Sequence, residues 1–240
     1  LDMDLFFNPT LTKKTLTVEL SSDESFHLAK VLRKKEDQSI RLTNGNGIEW
    51  KGILTRVNQK ACEAKCVEII EHPKPNYSLH LGVAPTKNMQ RFEWLIEKAT
   101  EIGVTKITPI LCQFSERKII KHERLQKIIV AALKQSQQFY LPHLGALTPY
   151  EEFLHTIDRD GFIAHCYPTP KILLDNINSK DLSKNIHLLI GPEGDFSHEE
   201  VQKASTNKIQ AVSLGETRLR TETAGLIAAY SLLLKLKEHL

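Results

Sequence analysis

Ile186-His187-Leu188-Leu189-Ile190-Gly191-Pro192-Glu193-Gly194-Asp195-Phe196-Ser197 is a short, mostly apolar run that breaks into glycine and proline and ends on a serine. Such a run bounded by turn formers reads as a strand buried on both faces. Ser197, standing before His198-Glu199-Glu200, reads as the N-cap of a following helix. Strand, tight loop and helix form the repeating unit of a parallel sheet. The loops beyond the carboxyl ends of such strands are where ligands gather.

The same arrangement recurs downstream. A run at 211–214 leads into Gly215-Glu216-Thr217-Arg218-Leu219-Arg220-Thr221-Glu222-Thr223-Ala224-Gly225, a loop entering the last helix, expected over 222–237 with Thr221 as its N-cap. Upstream, strands are expected at 78–84, 106–112 and 161–167, with helices over 92–102, 122–137 and 198–205. This alternation predicts a largely parallel sheet covered by helices on both faces. The first 72 residues differ: runs at 16–20, 39–43, 48–57 and 61–70 alternate as strands, Asn44-Gly45-Asn46-Gly47 supplies a tight hairpin turn, and one helix capped near Ser22 interrupts them. His72-Pro73-Lys74-Pro75-Asn76 disfavours helix and sheet alike and marks a linker. The expected architecture is α/β in two domains: a small β-barrel over 1–72 and a parallel α/β domain over 73–240.

Composition narrows the class. Apolar residues make up 41% of 240 and charged residues 25%, so the chain can build a core. No stretch reaches the ~20 apolar residues of a membrane span, and Leu1-Asp2-Met3-Asp4 lacks a basic and apolar leader pattern, so a cytoplasmic protein is expected. Cys62, Cys66, Cys112 and Cys166 form no C-x-x-C pair; they read as small buried hydrophobes, and no metal is expected. Net charge is +3, unevenly spread: residues 73–150 hold 11 basic and 5 acidic residues, net +6. Either a polyanion path or a solvated helix face fits that segment. His72, His80, His165 and His187 sit near expected strands and receive no chemical role.

Neither G-x-x-x-x-G-K-[ST] nor G-x-G-x-x-G follows any strand, which argues against ATP, GTP and NAD. A cofactor without phosphates, held by backbone amides and a few apolar side chains, fits the two loops better. The expected cofactor site comprises Ile190, Gly191 and Gly194 on one loop with Leu214, Gly215, Leu219, Thr221 and Ala224 on the other. The glycines let backbone approach a ligand, and Gly191→Val is expected to block the site without unfolding the domain.

Gly-Pro-Glu-Gly-Asp-Phe-Ser at 191–197, with Leu-Gly and then Arg-Leu-Arg-Thr-Glu-Thr-Ala at 218–224, closely resembles the 16S rRNA (uracil-N3) methyltransferases of the SPOUT superfamily. Phe26-His27-Leu28 with Val31-Leu32-Arg33 is similar to that family's N-terminal signature, and Glu97 to Val104 with Pro109 to a further stretch, so the resemblance spans the chain. It implies a PUA-like N-terminal barrel, a SPOUT domain with a deep trefoil knot, S-adenosylmethionine as cofactor, 16S rRNA as partner and a homodimer. The last helix, with Leu226, Ile227, Tyr230, Leu233, Leu234 and Leu236, adds an apolar face to the dimer expectation. The chain departs from the commonest family pattern in Lys134-Gln135-Ser136-Gln137-Gln138, where many members have Glu-Gln-Ser followed by Gly-Arg, and at Thr217.

Uracil N3 is protonated at neutral pH, so its methylation requires removing that proton or stabilising the resulting anion. Arg220 is the candidate for electrostatic stabilisation; Glu222 is the candidate base or the group that orients Arg220, with compensation of the helix N-terminus as its plainer role. His27 and Arg33 in the barrel, and Lys87, Arg91, Arg117, Lys118, Lys121 and Arg124 in the basic segment, are the candidate RNA contacts. Two other readings share the pattern: a non-catalytic RNA-binding protein with a degenerate cofactor site, and a SPOUT enzyme acting at another RNA position.

Overall fold

The computed structural model describes residues 4–158 and 160–238; Leu1 to Met3, part of the start read for a leader, lie outside them. The chain gathers into two compact units. One comprises residues up to Lys74 together with Val130–Leu141, the other Pro75–Ile129 and the chain from Pro142 onward. The first break falls two residues past the expected one. The 130–141 segment, expected in the second domain, packs with the first.

The first unit is a five-stranded sheet built from β1 (Leu5–Phe7), β2 (Thr17–Glu19), β3 (Ser39–Thr43), β4 (Ile48–Arg56) and β5 (Glu63–Glu71), in the order β1-β3-β4-β5-β2. β1 runs parallel to β3 and the remaining pairs are antiparallel. The 44–47 turn joins β3 to β4 as expected, with Gly45 and Gly47 at φ +69° and +87°, where a Cβ is disfavoured. Helix α1 (Ser22–Phe26) runs on into a π-helical turn at His27–Val31. Its N-cap is Ser21, one residue before the expected cap, accepting from the Glu24 N–H. Phe6, Leu28, Ile40, Leu42 and Leu54 close the core around Trp50, whose indole N–H donates to the Thr15 carbonyl at 2.8 Å.

Residues 137–141 are tied to this sheet by backbone. Gly47 N–H donates to the Phe139 carbonyl and Leu141 N–H to the Gly45 carbonyl, each at 2.8 Å. Phe139 stacks on His72 with centroids 3.8 Å apart. Beneath them lies Glu49, 5% exposed, accepting from Arg41 Nε at 2.7 Å and His72 Nε2 at 2.8 Å. Lys134, one of the departures from the family pattern, pairs with Glu24 at 2.8 Å.

The second unit carries β6 (Ser78–Val83), α2 (Met89–Ile102), β7 (Lys106–Leu111), α3 (His122–Gln135, which crosses into the first unit), β8 (His143–Leu144), β9 (Thr148–Pro149), α4 (Tyr150–Leu154), β10 (Asp160–Ala164), β11 (Ile172–Leu173), β12 (Asn185–Ile190), α5 (His198–Thr206), β13 (Gln210–Ser213) and α6 (Thr221–Lys237). The strands run β11-β13-β10-β12-β6-β7-β8 with β9 on β7, and every pairing is parallel. A mixed α/β fold is therefore observed. β1, α4 and the two-residue strands were not expected, being too short to display a period. β10 ends at Ala164, short of the expected 167, because the chain turns there into a loop.

Ser197 caps α5 with a full capping box, its hydroxyl accepting from Glu200 N–H and the Glu200 carboxylate accepting from Ser197 N–H. At α6 the expectation needs correcting: Arg220 is the N-cap residue and Thr221 the first helical one. Helix α6 packs on β6, β12 and α2. Of its expected apolar face, Leu233 and Leu236 are buried, while Ile227, Tyr230 and Leu234 are exposed.

Burial alone would raise the Glu49 carboxyl, but hydrogen bonds from His72 and Arg41 and the charges of Arg41 and Lys51 hold it below the usual carboxylate range. A group with a depressed folded pKa contributes stability above its unfolded pKa and loses it as pH falls through the folded value. Unfolding in urea should therefore show the first unit weakening as pH drops below the ordinary carboxylate range. Glu49→Gln should remove that part of the pH dependence and cost about 1–3 kcal/mol at pH 7, as for a buried charged hydrogen-bond partner. An unchanged pH profile in the variant would exclude Glu49 as its source.

Candidate functional site

The loops that follow β10, β12 and β13 open onto one cavity of about 640 Å3 in the second unit. β10 lies between β12 and β13 in the sheet, so the three carboxyl ends are neighbours. The loop after β12 contributes Ile190, Gly191, Pro192, Glu193 and Asp195. That after β13 contributes Leu214, Gly215 and 216–219, and the start of α6 adds Arg220, Thr221 and Ala224. From the loop after β10 come His165, Cys166 and Lys171. A volume of this size suits a small molecule, cofactor sites spanning roughly 300–1,000 Å3.

Three hydrogen bonds fasten the loops to one another. The Thr221 hydroxyl donates to the Gly191 carbonyl at 3.1 Å, joining the start of α6 to the loop after β12. Asp195, at φ +67°, accepts from the Cys166 N–H at 2.7 Å. The Tyr167 hydroxyl donates to the Phe196 carbonyl at 2.7 Å. Lys171 is spent locally on the carbonyls of His165 and Tyr167, and Glu193 accepts from the Lys87 N–H at 3.0 Å.

The imidazole of His165 is 7% exposed, and neither ring nitrogen has a hydrogen-bond partner among the described residues. Burial and then the Lys171 ammonium push its pKa below the usual imidazole range, with Asp195 opposing. Gly215 sits at φ +124° with nothing within 4 Å of where a Cβ would lie. The cavity therefore combines apolar walls, open space beside a glycine and a neutral polar group without a partner. Such a lining fits an uncharged heterocycle with attached polar arms.

A family model described as an RNA methyltransferase domain matches residues 72–233, and one described as an RNA methyltransferase PUA domain matches residues 20–66. The chain belongs to the RNA methyltransferase family. The crystal structure of the probable rRNA-methyltransferase from Porphyromonas gingivalis superposes with a TM-score of 0.90 at 32% identity, covering 99% of this chain and all of that one. The Ribosomal RNA small subunit methyltransferase E of Neisseria gonorrhoeae, crystallised with S-adenosyl methionine, gives 0.84 at 28% identity over 97% and 98%. The enzyme of the same description from Rickettsia conorii is 27% identical over 226 residues, 93% of this chain and 92% of the relative.

Within this family member, the structure brings Ile190, Gly191, Leu214, Gly215, Leu219, Arg220, Thr221 and Ala224 around one cavity. Gly194 is not among them: a Cβ there would meet Phe114 at 3.1 Å, outside the lining. Glu222 also lies outside it. Its carboxylate faces Arg91, with Oε1 at 3.7 Å from Nε and the buried Oε2 without a hydrogen-bond partner among the described residues. Glu222 therefore meets Arg91 rather than Arg220. Cys166, expected to be buried, is exposed at the cavity.

The expected RNA contacts divide between the units. His27 and Arg33 are exposed on the first, Arg33 at φ +53°. On the second, Lys87 pairs with Glu116 at 2.8 Å and Arg124 with Glu93 through two hydrogen bonds at 2.5 and 2.8 Å. The half-buried Arg117 donates to the Lys87 carbonyl, and Lys118 and Lys121 are exposed. Surface ion pairs like these contribute little stability.

The expectation for Gly191→Val must be revised, because a Cβ at Gly191 would meet the buried Phe196 ring at 3.0 Å and the Phe196 backbone nitrogen at 3.1 Å. The side chain would press into the core instead of into the cavity. Gly191→Val should lower stability by about 1–3 kcal/mol, the usual range for overpacking, whether or not a ligand is present. A thermal melt matching the wild type would show that the loop gives way at no cost.

Proposed function

We propose that this chain transfers a methyl group from S-adenosylmethionine to N3 of a uridine in small-subunit ribosomal RNA. The observation that carries the reading is the convergence of three post-strand loops on one cavity free of any phosphate-binding motif, with Arg220 among its lining residues. In this reading Ile190, Gly191, Leu214, Gly215, Leu219, Thr221 and Ala224 hold the cofactor. When bound, S-adenosylmethionine supplies an electrophilic methyl group on a sulfonium whose departing thioether is neutral, so the residues around it need only align the reactants.

The acceptor makes the greater demand. As the N3–H bond of uracil breaks and its proton passes to solvent, negative charge develops on the base and its carbonyls. Arg220 is exposed, lines the cavity and forms no ion pair among the described residues. It also stands at the N-terminus of the 17-residue α6, whose aligned peptide dipoles add positive potential at the same place. Guanidinium and helix end together favour the uracil anion.

The first unit acts in this scheme as a PUA-like RNA-binding barrel, with His27 and Arg33 among its contacts, and the second as the SPOUT domain with its C-terminal trefoil knot. Lys87, Arg91, Arg117, Lys118, Lys121 and Arg124 supply phosphate contacts. Two copies assemble through the exposed Ile227, Tyr230 and Leu234, which recur at helical spacing on α6. Among the described residues no helix is long and apolar enough to cross a membrane, and a cytoplasmic site of action suits a ribosomal substrate.

Arg220→Ala should keep the fold and most cofactor affinity while slowing methyl transfer about 10²–10³-fold, the usual effect of losing one well-placed donor to a developing anion. Lys at this position should recover only part of the rate, lacking the planar fork of guanidinium. Single-turnover rates at saturating RNA and S-adenosylmethionine, with the product nucleoside identified by mass spectrometry, make the test. A wild-type rate that merely needs more RNA to saturate would make Arg220 an RNA-positioning residue.

A further inference from the structure

The polar side chains around the cavity are mostly committed to the protein. Asp195 accepts from the Cys166 and Phe196 N–H groups, Glu193 from Lys87, Thr221 donates to Gly191, Ser213 donates to the Gly215 carbonyl, and Lys171 bridges two carbonyls. His165 is the exception among the buried ones, with both ring nitrogens enclosed and without partners among the described residues. Leaving such atoms unpaired and away from water is costly. That cost is offset when a ligand supplies the missing partners. The nearest ring neighbour, Tyr167, lies tilted with centroids 5.8 Å apart and does not supply them.

We infer that His165 is a cofactor-recognition residue, hydrogen-bonded by its imidazole to the adenosyl part of the methyl donor. The inference rests on the proposed use of S-adenosylmethionine and assigns one end of the cavity. A neutral imidazole offers one N–H donor and one bare nitrogen acceptor. The adenine edge, with its amino group and ring nitrogens, and the ribose hydroxyls present the complementary pattern without net charge. The charged amino-acid end of the donor suits the exposed side of the cavity instead, where Glu216, Arg218 and Arg220 stay hydrated. His165 follows directly from β10, between the strands that carry the other two loops, which places it at the centre of the convergence.

The test compares binding of S-adenosylmethionine, S-adenosylhomocysteine and 5′-methylthioadenosine, the last lacking the amino-acid end, to wild type, His165→Leu and His165→Gln by calorimetry. His165→Leu should weaken all three by the same factor, roughly tenfold for one net hydrogen bond. His165→Gln, with a donor and an acceptor of its own, should recover part of the loss. An independent readout on the unmutated protein guards against a folding defect: the His165 ring nitrogen resonances, assigned by their absence in His165→Gln, should shift when 5′-methylthioadenosine is added. Unshifted resonances, or wild-type affinity for 5′-methylthioadenosine in a folded His165→Leu, would overturn the inference, as would a loss confined to the two ligands that carry the amino-acid end. Failure of the wild type to bind any of the three would instead overturn the proposed use of S-adenosylmethionine.

Discussion

The hydrogen bond from the Thr221 hydroxyl to the Gly191 carbonyl ties the start of α6 to the end of β12 at the point where the chemistry is proposed to occur. Thr221 is the first residue of a long helix and Gly191 the first after a fully parallel strand, so each is fixed by its own element before they meet. With the Asp195 and Tyr167 links, the bond turns three loops into one rigid wall. A cavity built this way loses little freedom on binding, and preorganisation of this kind converts more of the contact energy into affinity. Helix α6 then does two jobs with one end, closing the cavity through Thr221 and Ala224 while carrying Arg220 to it.

The constraint explains why the glycines differ in meaning. Gly215 is needed for its backbone angle and faces open space, whereas Gly191 is needed because Phe196 fills the position of its side chain. Gly194 answers to Phe114. Three glycines in two neighbouring loops thus serve conformation, core packing and loop packing, and only the first two border the cavity.

The strand-loop-helix rhythm of the second unit was legible because its strands are continuous apolar runs and its helices are long, and the family blocks at 191–197 and 218–224 pointed to the cavity loops. Side-chain direction was not legible. Glu222 is two residues from Arg220 yet faces Arg91, because Arg220 is the extended cap residue and Glu222 already lies within the helix. The cap of α6 falls on Arg220, one residue before the expected Thr221, the usual uncertainty of a helix boundary. His165 could not be singled out, since a lone histidine after a strand has no pattern; its meaning comes from burial and missing partners, which exist only in three dimensions. The return of Val130–Leu141 to the first unit was equally hidden, resting on backbone bonds to Gly45 and Gly47 that leave no mark on hydrophobic periodicity.

These three loops form the proposed binding site for the methyl donor. Amide hydrogen exchange of the full chain, measured with and without S-adenosylmethionine, tests it most directly because it locates the ligand without altering a residue. Exchange should slow in the segments 165–171, 191–195 and 214–221, with the first unit unchanged. Protection confined to any other region, or none at a cofactor concentration that supports methyl transfer, would contradict it.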